Sequence, residues 1–269
     1  MRKQRLFLIG FLICLFLLCV FLLIGFYPVL QKKDANSFAP IRVTVQDQTN
    51  INETKANDST GSVSNDTIES TITCPVDFSS LKSINSDIYA WIDVPGTDIS
   101  YPVVQNSKDD TFYLDHNSNT DFDINGAIFT EHTYTSTSFD DPVTILYGHD
   151  MRSGEMFGCL QENYTNKSFF DKNNEIIVYT PEKELHYKLF ASTPYYSLHL
   201  LYYYDFKKSY IFDNFFDELY NYKTVNSIFS AEDKPKAGEK VIILSTCMDS
   251  GENKRYLVMG TLKSIKLYN

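Results

Sequence analysis

The sequence predicts a mainly β fold, a barrel or sandwich, for residues 77–269 of a 269-residue chain. Two observations carry the prediction. Seven short apolar runs recur along this stretch, many of them edged by Gly, Pro, Asn or Asp, as strands in all-β domains are. Helical periodicity is confined to its opening and to two stretches between strands, which does not suit a regular βαβ alternation. About 190 residues suffice for one well-packed domain.

Taken in order, the chain begins Met1-Arg2-Lys3-Gln4-Arg5, predicted to be a cytoplasmic N-terminus (1–5). Leu6–Leu30 follows, 25 residues without a charge against the roughly 20 that cross a bilayer. Its apolar core is too long for a cleaved signal peptide and no small-x-small site follows it, so a retained transmembrane anchor (6–30) is expected. Three cations precede the span and Lys32 and Lys33 follow it, which favours an N-terminus inside the cell and the remaining chain outside. Residues 31–76 are rich in Asn, Thr, Ser and Asp with one aromatic, Phe38, and read as a flexible extracellular linker.

Asp77 is a plausible N-cap for an amphipathic helix on which Phe78, Leu81, Ile84, Ile88 and Trp91 share a face. Val94-Pro95-Gly96-Thr97 reads as a type II turn. The predicted strands are Ile99–Val104, Gly126–Thr130, Val143–Tyr147, Glu175–Thr180, His186–Ser192, Val241–Ser245 and Tyr256–Ile265. A short helix is expected near Ser153–Asn163. A longer one is expected over Ser209–Lys223, with Ile211, Phe212, Phe215, Phe216, Leu219 and Tyr220 on one face.

The net charge of −10 argues against nucleic acid, whose phosphates demand a basic surface. Cys14 and Cys19 lie in the apolar span, leaving Cys74, Cys159 and Cys247. A Cys74–Cys159 bridge would leave Cys247 single, yet nothing in the sequence requires it. No CxxC or CxxH spacing exists, so no structural metal is expected, and no cofactor either.

Val241–Ser245 leads through Thr246 to Cys247, after which loop chemistry takes over until a second strand opens at Arg255. If the two strands pair as a hairpin, a thiol and a guanidinium face each other across the mouth of the loop. A nearby cation lowers a thiol's pKa and can hold a developing oxyanion. Among five histidines, His149 stands at the lip of a strand, after Gly148, exposed enough to meet a substrate. His186 and His199 read as packing or surface residues.

Leu146-Tyr147-Gly148-His149, then Leu244-Ser245-Thr246-Cys247, then Arg255, resembles a sortase, a cysteine transpeptidase of the Gram-positive cell surface. The likeness extends through Asp87–Thr97, Tyr101–Gln105, Gly126–Phe129, Tyr147–Met151 and Met156–Gly158, and is closest to class B. Ile243 and Met248 depart from the family's usual residues. The resemblance implies a closed sortase-type β-barrel with an N-terminal helix and a helix-bearing insertion before the cysteine strand, so that 77–269 is the catalytic domain. It implies that Cys247 is the nucleophile, His149 the acid and base, and Arg255 the oxyanion and peptide holder. Leu114, Tyr210 and Ile211 match groove positions, with ordinary core packing as the competing reading. Ser245 and Thr246 could offer hydroxyl or backbone donors. The implied substrates are exported proteins with a C-terminal motif like Asn-Pro-x-Thr-Asn or Pro-x-Thr-Gly, joined through a thioacyl enzyme to an amine of the peptidoglycan cross-bridge. Two other readings stay open: a surface cysteine hydrolase that uses water as acceptor, and a non-catalytic surface module.

Overall fold

Pairing between distant segments closes eight strands into a ring, which is what places the chain's conspicuous motifs side by side. The computed structural model describes residues 73–222, 224–247 and 254–269. The apolar run 6–30, residues 31–72 of the expected linker and the loop after Cys247 lie outside the described residues. Among the described residues no helix is long and apolar enough to cross a membrane.

The strands are β1 (Ile88–Asp93), β2 (Ser100–Val104), β3 (Ile128–Phe129), β4 (Val143–Tyr147), β5 (Glu175–Tyr179), β6 (Lys183–Tyr196), β7 (Ile228–Phe229), β8 (Val241–Cys247) and β9 (Lys254–Leu267). They lie in the order β5-β1-β2-β3-β4-β8-β9-β6-β7, and β5 also pairs with β6. That extra pairing closes the barrel and leaves β7 as an appendage on β6. The β2–β3 and β4–β8 pairs are parallel, and the other pairs are antiparallel. An eight-strand barrel is just wide enough for side chains to fill. Ile92, Val103, Leu146, Val178, Leu185, Ile242, Leu244 and Val258 are among those that do so here.

The helices of the described residues are α1 (Phe78–Ile84), α2 (Cys159–Tyr164), α3 (Lys167–Lys172), α4 (Leu200–Tyr203) and α5 (Ser209–Asn221). The last two form the insertion between β6 and β7. Phe212, Phe215, Phe216 and Leu219 of α5 pack with Val143, Ile145, Val241, Ile243, Leu257 and Met259 of β4, β8 and β9. Burying each such α5 side chain contributes about 1.5–3 kcal/mol. The same strands send Leu146, Ile242, Leu244 and Val258 to the other cluster, inside the barrel. Strands covered on both faces read as unbroken apolar runs, and Val143–Tyr147 and Val241–Leu244 are such runs.

Two sequence expectations change. Asp77 does cap the first helix, its carboxylate accepting from the Ser79 and Ser80 amides, but the helix ends at Ile84. Ile88 and Trp91 belong to β1, and Ile84 is 53 % exposed. Asn85 stops the helix. Its buried side chain donates to Tyr113 Oη at 2.8 Å and to the Ser118 carbonyl at 3.0 Å, ties that fix it to the barrel. Strand β1 is flanked by β2 and β5 and buried on both faces, so it lacks the alternation that would mark it. The strand predicted over His186–Ser192 runs from Lys183 to Tyr196. Cys74 and Cys159 are free thiols.

Candidate active site

The parallel β4–β8 register pairs Val143 with Val241 and ends at Tyr147 opposite Ser245, and Gly148 N–H donates to the Ser245 carbonyl at 3.2 Å. Two residues beyond Tyr147 lies His149, and two beyond Ser245 lies Cys247. On the other side of β8, the antiparallel register pairs Cys247 directly with Arg255. Adjacent strands are about 4.8 Å apart. The backbones of His149, Cys247 and Arg255 therefore leave one edge of the barrel on three neighbouring strands.

Gly148 is required by packing. A Cβ there would lie 2.6 Å from Ile128 Cδ1 and 2.7 Å from Phe157 Cδ2. Beyond it the backbone of His149 is pinned by Phe157 N–H, which donates to its carbonyl at 3.0 Å. The imidazole is pinned as well: Nε2 lies 2.6 Å from the carbonyl oxygen of Leu114. A carbonyl can only accept, so Nε2 carries the proton and, in the neutral ring, Nδ1 holds the lone pair. Leu114 closes a 3₁₀ turn, Phe112–Leu114. Gly126, with φ of +60°, lets the chain pass against that turn, since a Cβ would meet the Tyr113 oxygen at 2.5 Å and the Leu114 oxygen at 2.8 Å.

The other predicted residues divide. Leu114 is 44 % exposed and Tyr210, in the first turn of α5, is 64 % exposed, so neither is a core residue. Ile211 is half-buried. Of these three, the described contacts join Leu114 to His149 through its backbone. Ser245 and Thr246 are buried, and the Thr246 hydroxyl has no hydrogen-bond partner among the described residues. As they stand, these two offer no exposed hydroxyl.

Sequence reasoning missed a polar group beside this edge. Tyr147 donates its hydroxyl to Glu131 Oε2 at 3.1 Å, and the other carboxylate oxygen accepts from His199 Nε2 at 2.8 Å. Burial pushes the Tyr147 phenol up, the Glu131 charge pushes it further, and the Arg255 guanidinium opposes both. Tyr147 directly precedes Gly148-His149 in the sequence, but no local pattern points to Glu131 or His199 as its neighbours. Among the described residues no group of three or more His, Cys, Asp or Glu side chains could hold a metal ion.

A cysteine, a histidine and an arginine thus stand at adjacent strand ends of a closed eight-strand barrel, and comparison with known proteins gives the class. The sortase domain model matches residues 92–263. Sortase B of Listeria monocytogenes is 28 % identical over 188 residues, covering 68 % of this chain and 72 % of that protein. Sortase B of Staphylococcus aureus is 30 % identical over 192 residues, covering 71 % and 75 %. The structure of a Staphylococcus aureus sortase B–substrate complex superposes with a TM-score of 0.59 at 27 % identity, covering 70 % of this chain and 84 % of that one. The chain belongs to the sortase family. Its relatives make it a class B sortase, a cysteine transpeptidase.

Proposed function

We propose that this transpeptidase cleaves a C-terminal sorting motif, Asn-Pro-x-Thr-Asn-like or Pro-x-Thr-Gly-like, in exported proteins and joins them to an amine of the peptidoglycan cross-bridge. The observation that carries the reading is the β4–β8–β9 register, with His149 two residues past the end of β4 and Arg255 on β9, the two strands that flank the one bearing Cys247. The thiolate of Cys247 attacks the carbonyl carbon of the motif's threonine. Arg255 steadies the oxyanion with its fork of donors. His149 gives a proton to the amine that leaves as the C–N bond breaks, and a thioacyl enzyme remains. An incoming amine then attacks the thioester, loses a proton to His149, and the thiolate departs. With Nε2–H held by the Leu114 carbonyl, Nδ1 is the nitrogen that exchanges this proton.

Leu114, Tyr210 and Ile211 would line the peptide groove, and the exposure of Leu114 and Tyr210 supports that over core packing. Ser245 and Thr246 would act through backbone donors, since their side chains are buried. In this reading Leu6–Leu30 anchors the chain with its N-terminus in the cytoplasm, and 31–76 tethers domain 77–269 to the outer membrane face.

The test incubates the full chain in detergent with labelled motif peptides, with and without triglycine. An amide product that requires Cys247 is expected. Cleavage with no amide formed would replace the reading with a hydrolase, and unaltered product from Cys247→Ala would end it.

A further inference from the structure

Glu131 follows β3 and keeps its side chain 14 % exposed between two elements that are distant in sequence. Its Oε2 accepts from Tyr147, the last residue of β4 and two residues before His149. Its Oε1 accepts from His199, the N-cap of α4. The His199 ring is held at both nitrogens, because its Nδ1 accepts the Tyr202 backbone N–H at 3.0 Å. With Nδ1 an acceptor, the neutral ring carries its proton on Nε2, the atom aimed at Glu131. Tyr134 packs against the imidazole with ring centroids 4.8 Å apart. The carboxylate therefore touches both sides of the proposed groove: the strand that delivers His149, and the start of the insertion that carries Tyr210 and Ile211.

We propose that Glu131 and His199 are positioning residues that latch the α4–α5 insertion to the β4 rim, so that the exposed first turn of α5 meets the bound peptide in a fixed place. This rests on the transpeptidase reading above. Neither residue touches the reacting atoms. The latch acts on binding, because its loss frees the insertion and leaves the β4–β8–β9 ends where they are. The hydrophobic contacts of α5 keep the insertion attached, and the latch sets its angle.

The variants that test this are His199→Asn, Glu131→Gln and the double variant. An asparagine oxygen can still cap the Tyr202 amide, but its side chain is too short to reach Glu131. Glutamine keeps the shape of Glu131 and removes its charge. Losing a partly screened, charge-assisted bond corresponds to about five- to tenfold in an equilibrium. KM for the motif peptide should rise by about that factor in each single variant, with kcat within about twofold. The double variant should lose less than the sum of the two singles, because both weaken the same bond. Amide hydrogen exchange over Leu200–Asn221 should quicken in His199→Asn while β8 and β9 stay protected.

Fully additive effects, or unchanged KM with unchanged exchange, would overturn the latch. Exchange needs no turnover, so the two ideas separate. A loosened insertion in a variant of a protein that joins no motif peptide to an amine upholds the latch and removes the transpeptidase reading. Normal turnover with unchanged exchange in His199→Asn removes the latch alone.

Discussion

Replacing Gly126 with alanine tests whether the carbonyl of Leu114 orients the imidazole of His149. Two costs follow from the backbone. At φ of +60° an alanine meets a left-handed penalty of about 1–2 kcal/mol. Its Cβ would also sit 2.5 Å from the Tyr113 oxygen and 2.8 Å from the Leu114 oxygen, both of them backbone atoms that cannot swing aside. Overpacking of this kind adds about 1–3 kcal/mol, so a stability loss of about 2–5 kcal/mol is expected. Restoring ordinary contact at 3.4 Å moves the Leu114 oxygen by 0.6 Å, which takes its 2.6 Å bond from His149 Nε2 toward 3.2 Å if the ring stays in place. Weakening a bond to an imidazolium by about 1.4 kcal/mol lowers kcat about tenfold. The assay measures steady-state cleavage of a motif peptide well below the unfolding temperature, alongside thermal unfolding. Gly238→Ala is the control: its φ is +95° but no atom lies within 4 Å of the added Cβ, so it should lose about 1 kcal/mol of stability and no activity. Wild-type kcat in a Gly126→Ala protein that shows the expected loss of stability would refute the orienting role of the carbonyl.

Three further outcomes are expected. Arg255→Lys should lose most turnover, since an ammonium cannot reproduce the planar fork of donors, and near wild-type rates would remove Arg255 from the proposed chemistry. Phe216→Ala deletes a fully buried ring that packs on Phe190, Phe212 and Phe215, and should cost about 3–5 kcal/mol in urea unfolding. Asp77 is held down to about 2 from 3.8, first by the Ser79 and Ser80 hydroxyls and then by the Ser80 amide. A carboxylate lowered in the folded state stabilises above its unfolded pKa and loses that contribution as pH falls through the folded one. Exchange protection of α1 should therefore decline between about pH 4 and pH 2, and in Asp77→Asn, which keeps a capping oxygen, that decline should be absent.

Why some of the molecule could be read from the chain and some could not follows from where the information resides. The β4 and β8 strands are legible because burial on both faces leaves unbroken apolar runs, and His149, Cys247 and Arg255 are legible because each stands where such a run meets a glycine or loop chemistry. The first helix overran because Ile84, Ile88 and Trp91 fall by chance at helical spacing, while the stop signal is the set of tertiary bonds made by Asn85. Strand β6 runs beyond the expected His186–Ser192 at both ends and passes through Pro194, a residue that usually demotes a run. It is tolerated because β7 pairs only with Ala191 and Ser192, so by Pro194 the strand has β9 as its remaining neighbour.

The residues around the proposed chemistry were invisible for a different reason. The partner of the His149 ring is a backbone carbonyl, which every residue possesses, so the identity of Leu114 carries no trace of that role. Glu131 is 16 residues from Tyr147 and 68 from His199, and no local pattern links a carboxylate to a phenol and an imidazole at those separations. A nucleophile and its immediate partners are constrained by chemistry to particular side chains, which a sequence displays. The groups that hold them in place are constrained only by geometry, and many side chains or none can satisfy it. In this barrel the parallel β4–β8 pair joins the two kinds of constraint: its register brings the chain leading to His149 beside the strand of Cys247, and main-chain groups of Phe157 and Leu114 then hold His149 in place.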